Sequence, residues 1–183
     1  VKLANASSAN VGLTIKLTDD EGDHYVGVNN ITATDAEWLL LTGSYTHTVV
    51  GTEVTTYVYV EGPDDGVEYY IDDISVVSDA QALEEPVGSV EILANPDFEV
   101  GTDSWFGHGP TSVTLETSEV HSGNNSAKAA DRTDGWNGIA HGLDGVLTVD
   151  EIYTVSAWVK LANASSANVG LTIKLTDDEG DHY

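Results

Sequence analysis

Residues 57–77 read YVYVEGPDDGVEYYIDDISVV, and their pattern indicates the fold class. Over 57–61, two tyrosines and a glutamate alternate with two valines, and the same two-residue period recurs over 67–72. Because successive side chains of a strand point to opposite faces, this period indicates two half-buried β-strands. The cluster GPDDG at 62–66 is a turn signal between them. The stretch therefore predicts two strands joined by a polar turn.

The same signature recurs along the rest of the chain. Further alternating segments lie at 11–17, 38–45, 55–61, 112–117, 126–130, 138–141 and 153–159. Clusters rich in Asp, Gly and Asn separate them, at 19–23, 121–125 and 134–138. No window of helical length carries an apolar stripe of 3.6-residue period. The sequence therefore predicts an all-β protein, a β-sandwich of the jelly-roll type with a few percent helix at most.

The charge and the composition of the chain exclude several classes of binding partner and of protein. The chain has 31 acidic residues against 6 Lys and Arg, a formal net charge of −25. This disfavours nucleic acid and anionic membrane surfaces, which bind clustered Lys and Arg. The absence of Cys excludes zinc fingers, disulfide scaffolds and thiol catalysis. The lack of Cys also fits an extracellular or cell-surface protein that is held together by core packing instead of disulfides. No apolar run reaches the roughly 18 residues of a membrane span, so we expect no membrane insertion.

The chain contains a long exact duplication. Residues 1–25 read VKLANASSANVGLTIKLTDDEGDHY, and residues 159–183 read the same, which gives a period of 158 residues. Three interpretations stay open: a slice of a near-identical tandem array, a laboratory circular permutant, or an assembly artefact in which identical repeats collapsed. The first and third both imply a natural array, which we favour.

Unrolling this period defines the predicted domain organisation. The natural module begins near Val90, continues from the second copy into Val26, and ends near Ser78. Residues 1–79 are then the C-terminal part of one jelly-roll module, and 90–183 are the N-terminal part of the next. Residues 80–89 form an inter-module linker marked by Pro, Gly and paired Glu. The chain is thus circularly offset relative to the module.

Four pieces of the unrolled module resemble the carbohydrate-binding modules of the family 4, 9 and 22 group. They are NPDFEVGTDSW at 95–105, HSGNNSAKAADRTDGWNG at 121–138, YTVSAWVKL at 153–161 and the opening stretch at 57–77. The resemblance implies a calcium-stabilised β-jelly roll. It also implies binding of xylan, β-glucan or related chains beside a glycoside hydrolase, although some members are only structural.

The resemblance further implies a sugar-binding face. The matching positions are Trp136, Tyr25, Tyr59, Glu61 and His108, and Tyr183 duplicates Tyr25. At His108, in WFGHG, the family pattern has an arginine, and this departure weakens the expectation of xylan. From the residues alone, aromatic rings can stack on pyranose faces and a carboxylate can accept sugar hydroxyls. The alternative is that the tyrosines of 57–61 are cross-strand pairs that stabilise the sheet.

A structural calcium site is implied in the same way. The matching positions are Glu99, Asp73 and the backbone of 122–124 with Asn124, and Asp97 is a possible addition. Oxygen ligands from separate segments suit Ca²⁺ and would fasten both ends of the module. The alternative is that these residues are turn and cap residues.

Catalysis is not expected. Asp72 and Asp73 are adjacent in a predicted strand, so they should point to opposite faces and cannot flank one glycosidic bond. The first functional hypothesis is a non-catalytic repeat of an extracellular fibre, stalk or adhesin, whose partners are identical repeats or chains and also polysaccharide. The alternative is a xylan- or β-glucan-binding module of a secreted glycoside hydrolase. Whether the two parts pair within one chain or between chains stays open.

Overall fold

The computed structural model describes residues 12–19, 22–49, 51–62, 64–79 and 90–176. In these ranges the regular structure consists of β-strands, with no helix. The strands are β1 (Gly12–Asp19), β2 (Gly22–Ala33), β3 (Leu39–Thr46), β4 (Thr55–Glu61), β5 (Tyr69–Ser78), β6 (Trp105–His108), β7 (Ser112–Glu116), β8 (Ser126–Ala130), β9 (Gly138–Gly142), β10 (Ile152–Leu161) and β11 (Ala167–Thr176).

The strands form two antiparallel sheets that pack as a sandwich. One sheet has six strands in the order β1-β2-β11-β4-β9-β6, and the other has five in the order β3-β10-β5-β8-β7. Strands from the two parts of the chain alternate within each sheet, since β4 lies between β11 and β9, and β5 lies between β10 and β8. The two parts therefore complete one sandwich. The predicted linker 80–89 lies outside the described residues, and the module boundaries stay predictions.

The core lies between the two sheets. The six-stranded sheet contributes Val58 and Val60 of β4 and Ile173 of β11, while the five-stranded sheet contributes Ile71 of β5 and Val155 of β10, all essentially buried. These residues sit at alternate positions of their strands, as period-2 burial requires. Burial of such aliphatic side chains stabilises the sandwich by about 1.5–3 kcal/mol each.

The all-β sandwich is confirmed, and most predicted strands recur within two residues of their predicted ends. Two strands, β2 and β6, were not predicted. In β2 a register shift beside Val28 breaks the alternation, and Asn29 and Asn30 follow it. β6 has only four residues, which is too short for a period to be visible. Within the described ranges there is no helix of the length and apolarity that crossing a bilayer requires.

Candidate functional site

Strand β4 buries side chains on both of its faces. Val58 and Val60 belong to the main core, whereas Tyr57 and Tyr59 form a separate cluster with Ala140 of β9 on the outer face of the sheet. Tyr59 lies directly opposite Ala140 in the ladder, and the small alanine leaves room for the phenol ring. The two tyrosine rings are 5.7 Å apart. The outer face thus has an aromatic floor at its centre.

A second layer of rings covers this floor. The His108 ring lies over Tyr59 at 4.4 Å, and its Nδ1 is 3.0 Å from the hydroxyl of Tyr57. Phe106 meets Tyr57 edge-on at 5.9 Å, and Trp136 meets His108 edge-on at 5.4 Å. Each such edge-to-face contact stabilises the folded state by about 0.5–1.5 kcal/mol, in addition to the free energy gained by burying the rings. Phe106 and Trp136 remain 44% and 51% exposed, so they form the solvent-facing part of the cluster.

Strand β6 brings two of these rings to the face. Phe106 pairs with Ala140 and His108 pairs with Gly138 of β9. Phe106 and His108 are two positions apart, so they share one face of the strand. Gly107 between them approaches the neighbouring loop so closely that a Cβ there would lie 2.0 Å from the carbonyl oxygen of Thr111. The glycine is therefore required for β6 to lie where it does.

An open groove of about 260 Å³ runs beside Trp136. Its lining residues are Asn30, Glu61, Gly62, Gly135, Trp136, Asn168 and Gly170. Asn30 of β2, Gly170 of β11 and Glu61 of β4 form one cross-strand row. Since glycine has no side chain, backbone forms the floor between an amide and a carboxylate. The Glu61 carboxylate accepts a hydrogen bond from the hydroxyl of Thr172.

A buried arginine positions the loop that carries Trp136. Arg132 is 3% exposed, and its guanidinium donates to the carbonyl oxygens of Asn137 and Val67 at 2.8 Å, and of Gly135 at 3.1 Å. Two longer bonds, of 3.3 and 3.4 Å, reach the carbonyls of Asp134 and Asp64. Burial lowers the pKa of Arg132, and the group stays charged at neutral pH. The five bonds tie the loop at 132–137 to the turn at 62–68.

Tyrosine hydroxyls around the site are held neutral by burial. Burial raises the pKa of Tyr69 to about 12. Its hydroxyl donates to the carbonyl of Val60 at 2.7 Å and accepts from the amide of Ile139 at 3.1 Å. Burial, and then the charge of Glu61, raises the pKa of Tyr59 well above its usual range. The buried phenols of the site are therefore neutral hydrogen-bonding groups beside the Glu61 carboxylate.

The family assignment rests on sequence comparison. Residues 90–183 match the profile of the family 4/9 carbohydrate binding domain. The chain belongs to this family. The match begins at the residue where the predicted module begins.

The relatives of this carbohydrate-binding domain include longer proteins that carry the names of xylanases and of an exoglucanase. Endo-1,4-beta-xylanase A of Thermoanaerobacterium saccharolyticum is 35% identical over 98% of the chain and 15% of its own length. Endo-1,4-beta-xylanase 1 of Arabidopsis thaliana is 25% identical over 95% of the chain and 21% of its own length. Exoglucanase XynX of Acetivibrio thermocellus is 29% identical over 64% of the chain and 11% of its own length. The chain thus spans about a fifth or less of these proteins. No solved structure matches it significantly.

The carbohydrate-binding domain brings all five sequence-predicted sugar positions to one face. Trp136, His108 and Glu61 are described above, and Tyr25 is 49% exposed in the cross-strand row that reaches Tyr57. Tyr59 differs from the expectation, because it is only 2% exposed and lies under His108. Tyr59 therefore packs beneath the ring of His108 and does not expose its own ring to solvent. Tyr183 lies outside the described residues.

Sequence reasoning missed three residues of this face. Phe106 alternates with Trp105 in β6, but a four-residue strand gave no pattern to place it. Asn30 lies beyond the register shift in β2, and Asn168 lies at the start of β11. Each was a polar or aromatic residue in an unassigned segment. Only the strand order brings Asn30 and Asn168 beside Glu61, and Phe106 beside Tyr57.

The predicted calcium positions meet around the turn at 121–125. The Glu99 carboxylate accepts hydrogen bonds from the amides of Asn124 at 2.7 Å and Asn125 at 2.9 Å, and from the Asn124 side chain at 3.0 Å. Asp73 lies 2.6 Å from Nδ1 of His121, and Asp97 accepts from the amide of Glu99 at 3.3 Å. In the described ranges no three His, Asp or Glu side chains converge as metal ligands.

The expectation for Asp72 and Asp73 was wrong in one respect. Both carboxylates reach the same turn, because Asp73 has φ 46° and the adjoining β10–β5 pairing shifts register. Asp72 is fully buried, and its carboxylate accepts hydrogen bonds from the backbone amides of His121 at 2.9 Å and Ser122 at 3.1 Å. Burial raises the pKa of Asp72 to about 6, against the lowering effect of these amides. The pair is engaged in holding the turn.

Proposed function

We propose that this domain binds a neutral β-1,4-linked polysaccharide of the xylan class along the outer face of the six-stranded sheet. The observation that carries the proposal is the half-exposed Trp136 beside a groove lined by Asn30, Glu61 and Asn168. An aromatic ring offers an apolar surface to one sugar ring, while the polar groups select its hydroxyls. The names of the relatives favour xylan as the first ligand to test.

The side chains have different roles in this proposal. Trp136 and Phe106 stack against successive sugar units, and Glu61 accepts hydroxyl hydrogen bonds at the groove. His108, Tyr57 and Tyr59 support the two exposed rings from below. Tyr25 contacts the chain at the far edge of the face. Rings already packed in place lose little conformational freedom on binding, which favours affinity.

The net charge favours a neutral ligand. With a formal net charge of −25, the domain repels acidic polysaccharides. A neutral glycan meets no such barrier, and its binding should depend weakly on salt. We therefore expect xylan and mixed β-glucans to bind and polygalacturonate not to bind.

We propose that the domain is a non-catalytic, extracellular part of a longer polysaccharide-degrading protein. The family is a binding domain, and the relatives carry hydrolase names over lengths that this chain covers only in small part. These findings favour the hydrolase-module hypothesis over the fibre, stalk or adhesin hypothesis.

A tandem arrangement is a separate proposal. The 25-residue duplication supports it, as does the 182-residue alignment with xylanase A. That alignment runs through both parts of the chain in the order in which they occur here. Long-read sequencing of the gene tests this proposal; a gene with a single copy of the 158-residue period would contradict it.

Isothermal titration of xylohexaose tests the binding proposal. Replacing Trp136 with alanine removes the exposed ring, and we expect at least a tenfold loss of affinity, about 1.4 kcal/mol. The matched control is Leu115→Ala, because Leu115 is 45% exposed but lies on β7 of the other sheet. Equal affinities of the Trp136→Ala variant and the parent, or no heat with any neutral glycan, would contradict the proposal.

A further inference from the structure

A glycine at the centre of the groove beside Trp136 keeps it open. Gly170 of β11 lies opposite Asn30 of β2 on one side and opposite Glu61 of β4 on the other. Two strand spacings therefore separate Asn30 from Glu61, which is roughly 9–10 Å between their Cα atoms. Asn168 lies two positions before Gly170 in the same strand, so it shares that face of the sheet. The groove thus has amides and a carboxylate as its walls and backbone as its floor.

The fold does not use the side-chain amides of the two asparagines in the groove. Within the described ranges, the amides of Asn30 and Asn168 form no hydrogen bond with another residue. The neighbouring Asn29 differs, because its amide donates to the carbonyl oxygen of Thr42 at 2.7 Å. Asn30 and Asn168 are both exposed at the groove. A side-chain amide donates through its nitrogen and accepts through its oxygen, so the pair offers both kinds of hydrogen bond to a ligand.

Close backbone contacts fix the floor of the groove. The backbone amide of Gly62 donates to the carbonyl oxygen of Gly135 at 2.7 Å, which joins the turn after β4 to the loop that carries Trp136. A Cβ at Gly62 would lie 2.8 Å from the carbonyl oxygen of Asn168 and 2.9 Å from the backbone nitrogen of Gly170. The groove volume of about 260 Å³ is below the roughly 300–1,000 Å³ of pockets for drug-sized ligands, so the groove has room for one sugar unit.

We propose that Asn30 and Asn168 bind the 2- and 3-hydroxyls of one sugar unit, so that the domain selects stretches of xylan without ester substituents. This selectivity rests on the proposed function. In a 1,4-linked chain the 2- and 3-hydroxyls are adjacent on one edge of the unit, and each hydroxyl donates and accepts. When the face of that unit stacks on Trp136, this edge enters the groove. An acetyl group on either oxygen removes a donor and adds bulk in a groove that has room for one unit.

Binding to a xylan that carries acetyl esters then requires hydrolysis of the esters first. Attack of water on the ester yields acetate and the free hydroxyl, which restores the donor that the two amides require. A site that hydrogen-bonds a hydroxyl disfavours an analogue without it, because the polar groups of the site are left unpaired. We expect acetylated xylo-oligosaccharides to bind at least tenfold more weakly than the same material after deacetylation.

Titration calorimetry of the full chain with one preparation of xylo-oligosaccharides, before and after alkaline deacetylation, gives the test. The measured quantity is the ratio of the two affinities. We expect this ratio to fall toward one in Asn168→Ala and in Asn30→Ala, because the amides that discriminate are gone. The control is Thr114→Ala, which removes an exposed polar side chain from β7 of the other sheet and should keep the ratio of the parent.

The outcomes separate this selectivity from the binding proposal. Equal affinities of the parent for the two ligands would overturn the selectivity and leave the proposed function in place. A higher affinity for the acetylated ligand would also overturn it, and would assign the groove to a substituent. The full ratio of the parent in both asparagine variants would overturn the role of the amides. No heat with either ligand would contradict the proposed function, and the selectivity with it.

Discussion

At the scale of single residues, burial decides the protonation of His141. Its Nδ1 donates a hydrogen bond to the carbonyl oxygen of Gly142 at 2.7 Å, and its Nε2 accepts a hydrogen bond from the backbone amide of Ala94 at 3.3 Å. This pattern fixes the neutral ring, because a proton on Nε2 would remove the acceptor. Burial lowers the pKa of His141 below its ordinary value of 6.5, although the hydrogen bond to Gly142 opposes this.

This gives a pH dependence of definite sign. The unfolded chain binds the proton more readily than the folded one, so stability from His141 is present above pH 6.5 and is lost on acidification. His47, whose pKa is also lowered by burial, acts in the same direction. We expect the His141 ring to titrate below pH 6.5 by NMR. The variant His141→Gln should lose less stability between pH 7 and 5 than the parent. A pKa above 6.5 would contradict this account.

At the scale of elements, the loop that carries Trp136 depends on Arg132. Lysine keeps the charge but cannot reach five carbonyl oxygens with one ammonium group. We expect Arg132→Lys to lower the free energy of unfolding by about 2–3 kcal/mol, in line with loss of charged hydrogen bonds. It should also weaken xylohexaose binding, because the tryptophan is no longer held.

The matched control is Lys128→Arg, since Lys128 lies on β8 of the other sheet and arginine can keep its partly exposed ion pair with Glu68. Chemical denaturation and titration calorimetry measure the two effects. Unchanged stability and affinity in Arg132→Lys would show that the loop is held by other contacts.

The strands differ in how far sequence could predict them. β4 and β8 were predicted with their observed bounds, because clean alternation over five or more residues needs no tertiary information. β2 was missed, because a register shift and two asparagines interrupt its period. Within the site, the positions of Trp136, Glu61 and Tyr25 followed from resemblance. The burial of Tyr59 did not, because it depends on His108 arriving from β6.

At the scale of the whole molecule, the turn at 121–125 joins both parts of the chain. The carboxylates of Asp72 and Asp73 in β5 form hydrogen bonds with this turn, and so does the carboxylate of Glu99 in the segment before β6. These contacts come from regions on either side of the predicted linker. Hydrogen bonds and the stacking of His121 on Trp158 hold the described turn, and calcium at Glu99, Asp73, Asn124 and Asp97 stays a prediction.

The calcium prediction is tested by thermal unfolding. We expect millimolar Ca²⁺ to raise the Tm above that in chelator, because bound ion stabilises only the folded state. A stabilisation of 1 kcal/mol corresponds to about 2–4 °C in a chain of this size. Mg²⁺ should act weakly, and Glu99→Gln should reduce the effect of Ca²⁺. The same Tm with Ca²⁺ and with chelator would leave the turn to hydrogen bonds alone.

We propose that one sandwich, built from both parts of the chain, presents a glycan-binding face on its six-stranded sheet. NMR titration of the labelled full chain with xylohexaose locates the bound glycan on the sandwich. We expect chemical-shift changes at the indole of Trp136 and along Phe106, His108 and Glu61, and none in β3 and β7 of the other sheet. Shifts confined to β3 and β7, or none at saturating ligand, would contradict it.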